Sequence, residues 1–429
     1  MKLRREKPSM SKKHIRHVVP VLLLSLAISM IFIVSPLSAA EEVTAIRGGD
    51  LYTITGGIIK NGTILIKDGK ISDIGQNIEI PEKAKVIEAG GKVVMPGLVA
   101  VNAEVGVIGY PNITRIADSL DPFDFSVSLA LASGITSAMV SAGGPRSGSS
   151  PIGGATAVIK TFYGDLDQML VKESVVQPVM ISNRDWLRKT TFKQNLRKAQ
   201  SYLRKLAEYQ QAKDNKKAEE PKKPGGLDAY IRLLQREVPA ALTASTTGDI
   251  LAALELVDEF GIRMILADAV EAWIVAEEIA KRDVRVVITP RQKQRPNEDI
   301  SGPSGSNLEN AAILKKAGVK FAIIPPSTYF GTWGVVGRDM MALPMEAAFA
   351  VSGGLDEQTA LEAITITAAE IIGVADRVGS LQVGKDADII ILDGHPFHHK
   401  TFVESTLING KVLYEKAKSL YFSHITHDE

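Results

Sequence analysis

Cysteine is absent from all 429 residues, and no histidine occurs between residues 18 and 394. The first absence excludes disulfides, thiolate metal sites, a cysteine nucleophile and a lipid-modified cysteine. The second removes from that stretch both the imidazole nitrogens that bind zinc-like ions and the base of a Ser-His triad. The seven histidines are His14, His17, His395, His398, His399, His424 and His427. A charge excess is lacking too: 50 Lys and Arg stand against 49 Asp and Glu. Phosphate backbones demand concentrated positive charge, so this balance argues against nucleic acid as a partner. No Gly-x-Ser-x-Gly elbow occurs. The glycine-rich run Gly143 to Gly154 lacks the Gly-Lys-Ser/Thr ending of a phosphate loop and is expected to be a mouth loop.

What is present is a globular composition, 45% hydrophobic and 23% charged, with length for a large barrel plus an appendage. Residues 1–17 are basic, Val18–Val34 are apolar, and Ser38 and Ala40 precede Glu41-Glu42. That layout predicts a secretory signal over 1–40, cut after Ala40, or else an uncleaved anchor. Either way the rest of the chain is expected to be exported to the periplasm or outside, meeting membrane only through this segment.

Residues 43–95 read as short strands broken by Gly-Gly and Asp-Gly turns. From Pro96 strands alternate with helices. The predicted strands are Leu98–Val105, Thr136–Ala142, Thr156–Lys160, Val175–Ser182, Pro239–Ser245, Met264–Ala269, Val284–Thr289 and Lys320–Ile324. Helical periodicity marks Asp249–Phe260, Ala272–Arg282 and Asp356–Gly373, and a face of Phe192, Leu196, Ala199, Leu203, Leu206 and Tyr209. Strands alternating with helices imply a parallel sheet, and eight of them a (β/α)8 TIM-type barrel of α/β class. Lys213–Gly226 reads as an exposed loop. Strands return after residue 376 and end in a hairpin turning at Asn409-Gly410. The division is therefore 43–95 and 376–418 as one β-sandwich from both chain ends, 96–375 as barrel, and 419–429 as tail.

Val93-Val94-Met95-Pro96-Gly97-Leu98 and Val378-Gly379-Ser380-Leu381 through Gly384-Lys385-Asp386-Ala387-Asp388 resemble the amidohydrolase superfamily, particularly its imidazolonepropionase-like branch. Ser133-Gly134-Ile135-Thr136, Asp249-Ile250-Leu251 to Gly261, and Ala360-Leu361 to Val374 add to the resemblance. It implies a barrel with a β-sandwich and a divalent metal at the barrel mouth. In such enzymes His-x-His comes from strand one, a Lys or Glu from strand four, histidines from strands five and six, and an aspartate from strand eight. The metal lowers the pKa of a water, and a carboxylate takes its proton.

Here the aspartate before the first histidine falls on Ala100, and the two histidines on Asn102 and Glu104. The strand-five position is Thr243, the strand-six position Asp268, and strand eight runs through Pro326 with no aspartate. Gln177 to Ser182 has neither Lys nor Glu. Ser245 and Glu271 add polar groups to the expected pocket, though Glu271 precedes a helix start and reads as structural. No histidine-held metal is expected. The alternative is a hard cation such as Mg²⁺ or Ca²⁺ on Glu104 and Asp268, helped by Asn102 and Glu271. His395, His398 and His399 are expected in a surface turn, or as an adventitious metal site.

Three functions follow: a catalytically degenerate protein that binds a small molecule or serves as partner subunit to an active relative; a hydrolase of carbon-nitrogen bonds through a non-histidine site; or a surface-interaction role. The resemblance also implies a homodimer.

Overall fold

β-branched runs separated by tight turns form strands β1 (Thr44–Tyr52), β2 (Ile58–Lys67), β3 (Lys70–Gly75), β4 (Lys85–Glu88) and β5 (Val93–Pro96). The computed structural model describes residues 43–108, 115–141, 150–182, 185–212, 219–299, 301–331 and 339–424. The signal-type segment and residues 142–149 of the glycine-rich run lie outside the described residues. Among the described residues no helix is long and apolar enough to cross a membrane. Asp68 and Gly69, both with positive φ, turn β2 into β3, the two-residue turn whose twist matches antiparallel strands.

After β5 come β6 (Leu98–Ala100), β7 (Ile135–Ser141), β8 (Thr156–Lys160) and β9 (Leu170–Glu173), hydrogen-bonded in that order. A second ladder holds β10 (Gln177–Val179), β11 (Ala240–Thr243), β12 (Met264–Ala267), β13 (Arg285–Ile288) and β14 (Phe321–Ile323), parallel throughout. Both of its faces are buried, as parallel sheets require. Ile265, Val287 and Ala322 pack inward with Ala368, Ala369 and Ile371, whereas Leu266, Val286, Ile288 and Ile323 join the outer core with Leu254 and Leu314. The last strands are β15 (Ile389–Leu392), β16 (Val403–Ile408) and β17 (Lys411–Glu415). β15 pairs antiparallel with β5, so both chain ends share one eight-stranded sheet. Asn409-Gly410 makes the predicted β16–β17 turn, again at positive φ.

Four expectations change. The helix expected over Ala272–Arg282 divides at Val275 into a 3₁₀ turn, Ala272–Ile274, and a short helix, Ala276–Ala280. β8 runs antiparallel to β7 instead of continuing a parallel series. A parallel return needs a crossover, usually a helix, and the Gly/Ser/Pro-rich stretch from Gly143 to Gly154 carries no helical pattern. The ladders β6–β9 and β10–β14 do not merge into one closed ladder among the described residues; isolated bridges Ile152–Val179 and Glu104–Tyr329 join them. The single helix expected over Asp356–Gly373 breaks into Glu357–Ala363 and Ile366–Ile371. The β-branched run Ile364-Thr365-Ile366-Thr367 crowds a helical turn, and Thr365 turns its hydroxyl to Leu361 O at 2.6 Å. The second piece packs against both β6 and β14.

Candidate functional site

The carboxyl ends of parallel strands point their loops to one side, which is where such sheets take ligands. On that side the structure has an open cleft of about 1140 Å³ lined by Asn102, Thr243, Asp268 and Pro326, among others. Four of the five positions that the resemblance assigns to metal ligands thus line one cavity, although they are spread over more than 200 residues of sequence. The fifth, Glu104, lies beside it. Thr328 lines the cleft and donates from Oγ1 to Glu104 Oε1 at 2.9 Å, while the Glu104 amide donates to Thr328 O at 2.7 Å.

Asp268 follows β12 with φ +56°, a left-handed conformation that aspartate tolerates better than most side chains. Ser245, just past β11, donates from Oγ to Asp268 Oδ2 at 2.7 Å. Ala100 is fully buried in β6.

Glu271 does not face the cleft. It is buried, and its carboxylate accepts from Thr247 N (2.7 Å), Thr247 Oγ1 (3.0 Å), Gly305 N (2.7 Å) and Gln294 Nε2 (3.3 Å). One side chain therefore ties the loops after β11 and β13 together, leaving little capacity for a ligand. Glu271→Ala is expected to lose about 3 kcal/mol, because buried donors to a charged acceptor are left unmade; a urea denaturation midpoint would read it.

The loop after β13 also reaches this cleft, at a strand from which the resemblance implies no ligand. Thr289, Arg291, Gln292 and Lys293 line the cleft with Phe349; the signal was a cluster of polar and basic residues at a strand's carboxyl end. Arg291 is tied down: its amide and Nε donate to the two carboxylate oxygens of Glu346 at 2.7 Å each, and its guanidinium stacks 4.9 Å over Phe349. Glu346 is fully buried, and burial pushes its carboxyl pKa up while Arg291 opposes the rise. Lys293 remains exposed on the rim.

At and beside this mouth an amide, a hydroxyl, a proline and two carboxylates stand where the resemblance implies nitrogen ligands and an aspartate. That donor set does not fit a zinc-like ion. Among the described residues no three histidine, aspartate or glutamate side chains converge to hold a metal ion. His398 and His399, stacked at 4.7 Å, line a separate cavity of about 250 Å³ beside the eight-stranded sheet.

A buried charge cluster also escaped the sequence reading. Lys160, the last residue of β8, is 1% exposed. Its Nζ donates to Asp386 Oδ2 at 2.8 Å, to Asp388 Oδ1 at 2.9 Å and to Asn409 Oδ1. Arg377 and Lys70 also pair with Asp386. A lysine on an otherwise apolar strand was the available signal. The cluster joins β8 to the segment before β15 and to the Asn409 turn, so it is a fastening and lines no part of the cleft.

Residues 240–413 match the model of the amidohydrolase family. The chain is 42% identical over 69 residues to a 5'-deoxyadenosine deaminase of Methanosarcina acetivorans, covering 15% of this chain and 16% of the relative. It is 50% identical over 54 residues to an imidazolonepropionase of Syntrophobacter fumaroxidans, 12% of this chain and 13% of the relative. The matches thus span about one sixth or less of these curated relatives. A solved amidohydrolase structure from Thermotoga maritima superposes with TM-score 0.69 at 25% identity, over 87% of this chain and all of that one. A β-aspartyl dipeptidase from Fervidobacterium islandicum shares the fold at TM-score 0.53 and 14% identity, over 87% and 97%.

Proposed function

Because the chain belongs to the amidohydrolase superfamily, we propose that it binds a small molecule in the mouth of a TIM-type barrel without hydrolysing it through a histidine-held metal. The observation that carries this reading is the cleft of about 1140 Å³, lined by the ligand-equivalent residues Asn102, Thr243, Asp268 and Pro326 and by no imidazole. Its size suits a metabolite. Asp268 and Lys293 offer charges of opposite sign, and Thr243 and Thr289 neutral hydrogen-bonding groups. We read the eight-stranded sheet as the β-sandwich companion of the barrel. The basic, apolar and small-residue layout of residues 1–40 supports export.

The test combines metal analysis with thermal-shift screening of small molecules on the purified chain. No stoichiometric divalent metal is expected, and a ligand at 100 times its Kd should add about 2.7 kcal/mol of stability. Asp268→Asn is expected to weaken that ligand at least tenfold while the unliganded protein keeps its stability. One tightly held divalent ion per chain, lost in Asp268→Ala or Glu104→Ala, would overturn the reading.

A second reading, hydrolysis of carbon-nitrogen bonds without histidine, has the Ser245–Asp268 hydrogen bond in its favour. It requires turnover that persists in chelator and disappears in Asp268→Ala. A partner-subunit role would instead show as co-purification with a histidine-bearing relative, and a homodimer as doubled mass in solution.

A further inference from the structure

At the amino ends of β11, β12 and β13, three successive loops each supply one arginine. Arg236 stands shortly before β11, Arg263 immediately before β12, and Arg285 opens β13. All three line a cavity of about 310 Å³ on the side away from the cleft.

Each guanidinium has a backbone carbonyl as partner: Arg236 Nη1 donates to Gly261 O at 2.8 Å, Arg263 Nη2 to Glu237 O at 2.9 Å, and Arg285 Nη1 to Glu370 O at 3.1 Å. Those bonds use one of the five N–H donors each side chain carries. The Nε of Arg263 is buried with no hydrogen-bond partner, and a buried donor left unmade is costly. Burial first, then the like charges of Arg285 and Arg236, lower the pKa of Arg263. Two acids lie beside them: Asp258, held by Arg282 through Nε to Oδ1 and Nη2 to Oδ2 at 2.9 Å each, and Asp283, which lines the cavity together with Lys281 and Arg282. Positive charge is therefore gathered in a concave site and only partly matched.

The simpler role of these arginines is to cap the carbonyl ends of helices. Capping accounts for the bonds to Gly261 O and Glu370 O, whereas Glu237 lies in the turn before β11. It does not account for the gathering of Arg236, Arg263, Arg282 and Arg285 round one cavity.

We propose that this pocket binds a tetrahedral oxyanion of the phosphate class, held by Arg236, Arg263 and Arg285. Planar forked donors suit several oxygens of one anion at once, through the guanidinium N–H groups that the carbonyl bonds leave over. The volume accommodates phosphate alone or the phosphate of a small monoester. The site is independent of the cleft at the other end of the strands, so it stands or falls separately from the ligand proposed there.

The full chain, purified without phosphate or sulfate, is titrated calorimetrically with inorganic phosphate at constant ionic strength, with chloride as control. One phosphate per chain is expected, with affinity reduced at least tenfold in Arg263→Gln and in Arg285→Gln and weakened by added salt. Should Arg263→Gln fold poorly, Arg236→Gln on the exposed side reports the same loss. Glycerol phosphate binding more tightly than phosphate would support the site and assign it to an organic phosphate; weaker binding would support it as a free-anion site. Heat no greater than with chloride, binding unchanged in all three variants, or a response only to anionic phospholipid vesicles would overturn the proposal.

Discussion

Lys160→Met is expected to destabilise the protein by about 3–5 kcal/mol, read as a lower urea midpoint with an unchanged slope. Removing one partner of a buried ion pair leaves the other charge without compensation, and here two carboxylates, Asp386 and Asp388, lose the same ammonium. They are not equivalent. The cations Lys160, Lys70 and Arg377 outweigh the cost of burial at Asp386 and hold its pKa at about 2. Burial at Asp388 outweighs Lys160, and its pKa is raised. Lys160→Met should therefore be relieved in part by Asp388→Asn, which removes the carboxylate that burial already disfavours. The double variant is expected to lose less than the two single losses added together.

The sign of the acid dependence follows. A carboxyl with a lowered folded pKa stabilises the fold above its unfolded value and ceases to do so as pH falls through the folded value. The contribution of Asp386 should be complete above about pH 4, the ordinary aspartate range, and fade towards about pH 2. Asp388 acts in the opposite direction, so its contribution fades as pH rises through its raised pKa. In Lys160→Met the acid-side loss from Asp386 should begin at higher pH than in the parent, visible in circular dichroism followed through an acid titration.

Gly97→Ala is expected to cost about 3 kcal/mol or to prevent folding, read as soluble yield and thermal midpoint. A Cβ at this position would lie 2.0 Å from Oγ1, 2.2 Å from Cγ2 and 2.6 Å from Cβ of Thr136. Thr136 is 1% exposed and has nowhere to retreat. Overfilling a packed core typically costs 1–3 kcal/mol and occasionally more. The backbone cannot yield easily either, because the Gly97 amide donates to Asp388 O at 2.9 Å and the Leu98 amide to Gly134 O at 2.8 Å. Thr136→Gly in the same chain should restore part of the loss. An equal loss in the single and double variants would show that the close approach is not its cause.

Gly97 marks how far the sequence could be read. The motif around it was legible as the entry to the first barrel strand, but the need for glycine there depends on Thr136, almost 40 residues later. The two hairpin turns at Asp68-Gly69 and Asn409-Gly410 were legible because turn geometry is set by adjacent residues. So was the amphipathic helix, whose Phe192, Leu196 and Ala199 are fully buried. The direction of β8 was not legible, since Thr-Ala-Val-Ile-Lys has the same apolar texture whichever way it runs. Nor was the partnership of Lys160 with Asp386, Asp388 and Asn409, over 220 residues away. Arg291 and Lys293 were passed over because the family pattern draws no ligand from that strand.

By itself the sequence determined the chemistry excluded from the cleft: a stretch without histidine or cysteine has no such ligands to offer, whatever its fold. It also determined the turns and helix faces, which depend on neighbours within a few residues. Only the tertiary structure decided that Asn102, Thr243, Asp268 and Pro326 line one cavity, that Glu271 is consumed in holding loops, and that Arg236, Arg263, Arg282 and Arg285 line another pocket. Those facts depend on side chains brought together by strand pairing over long separations, and their distances are not written in local order.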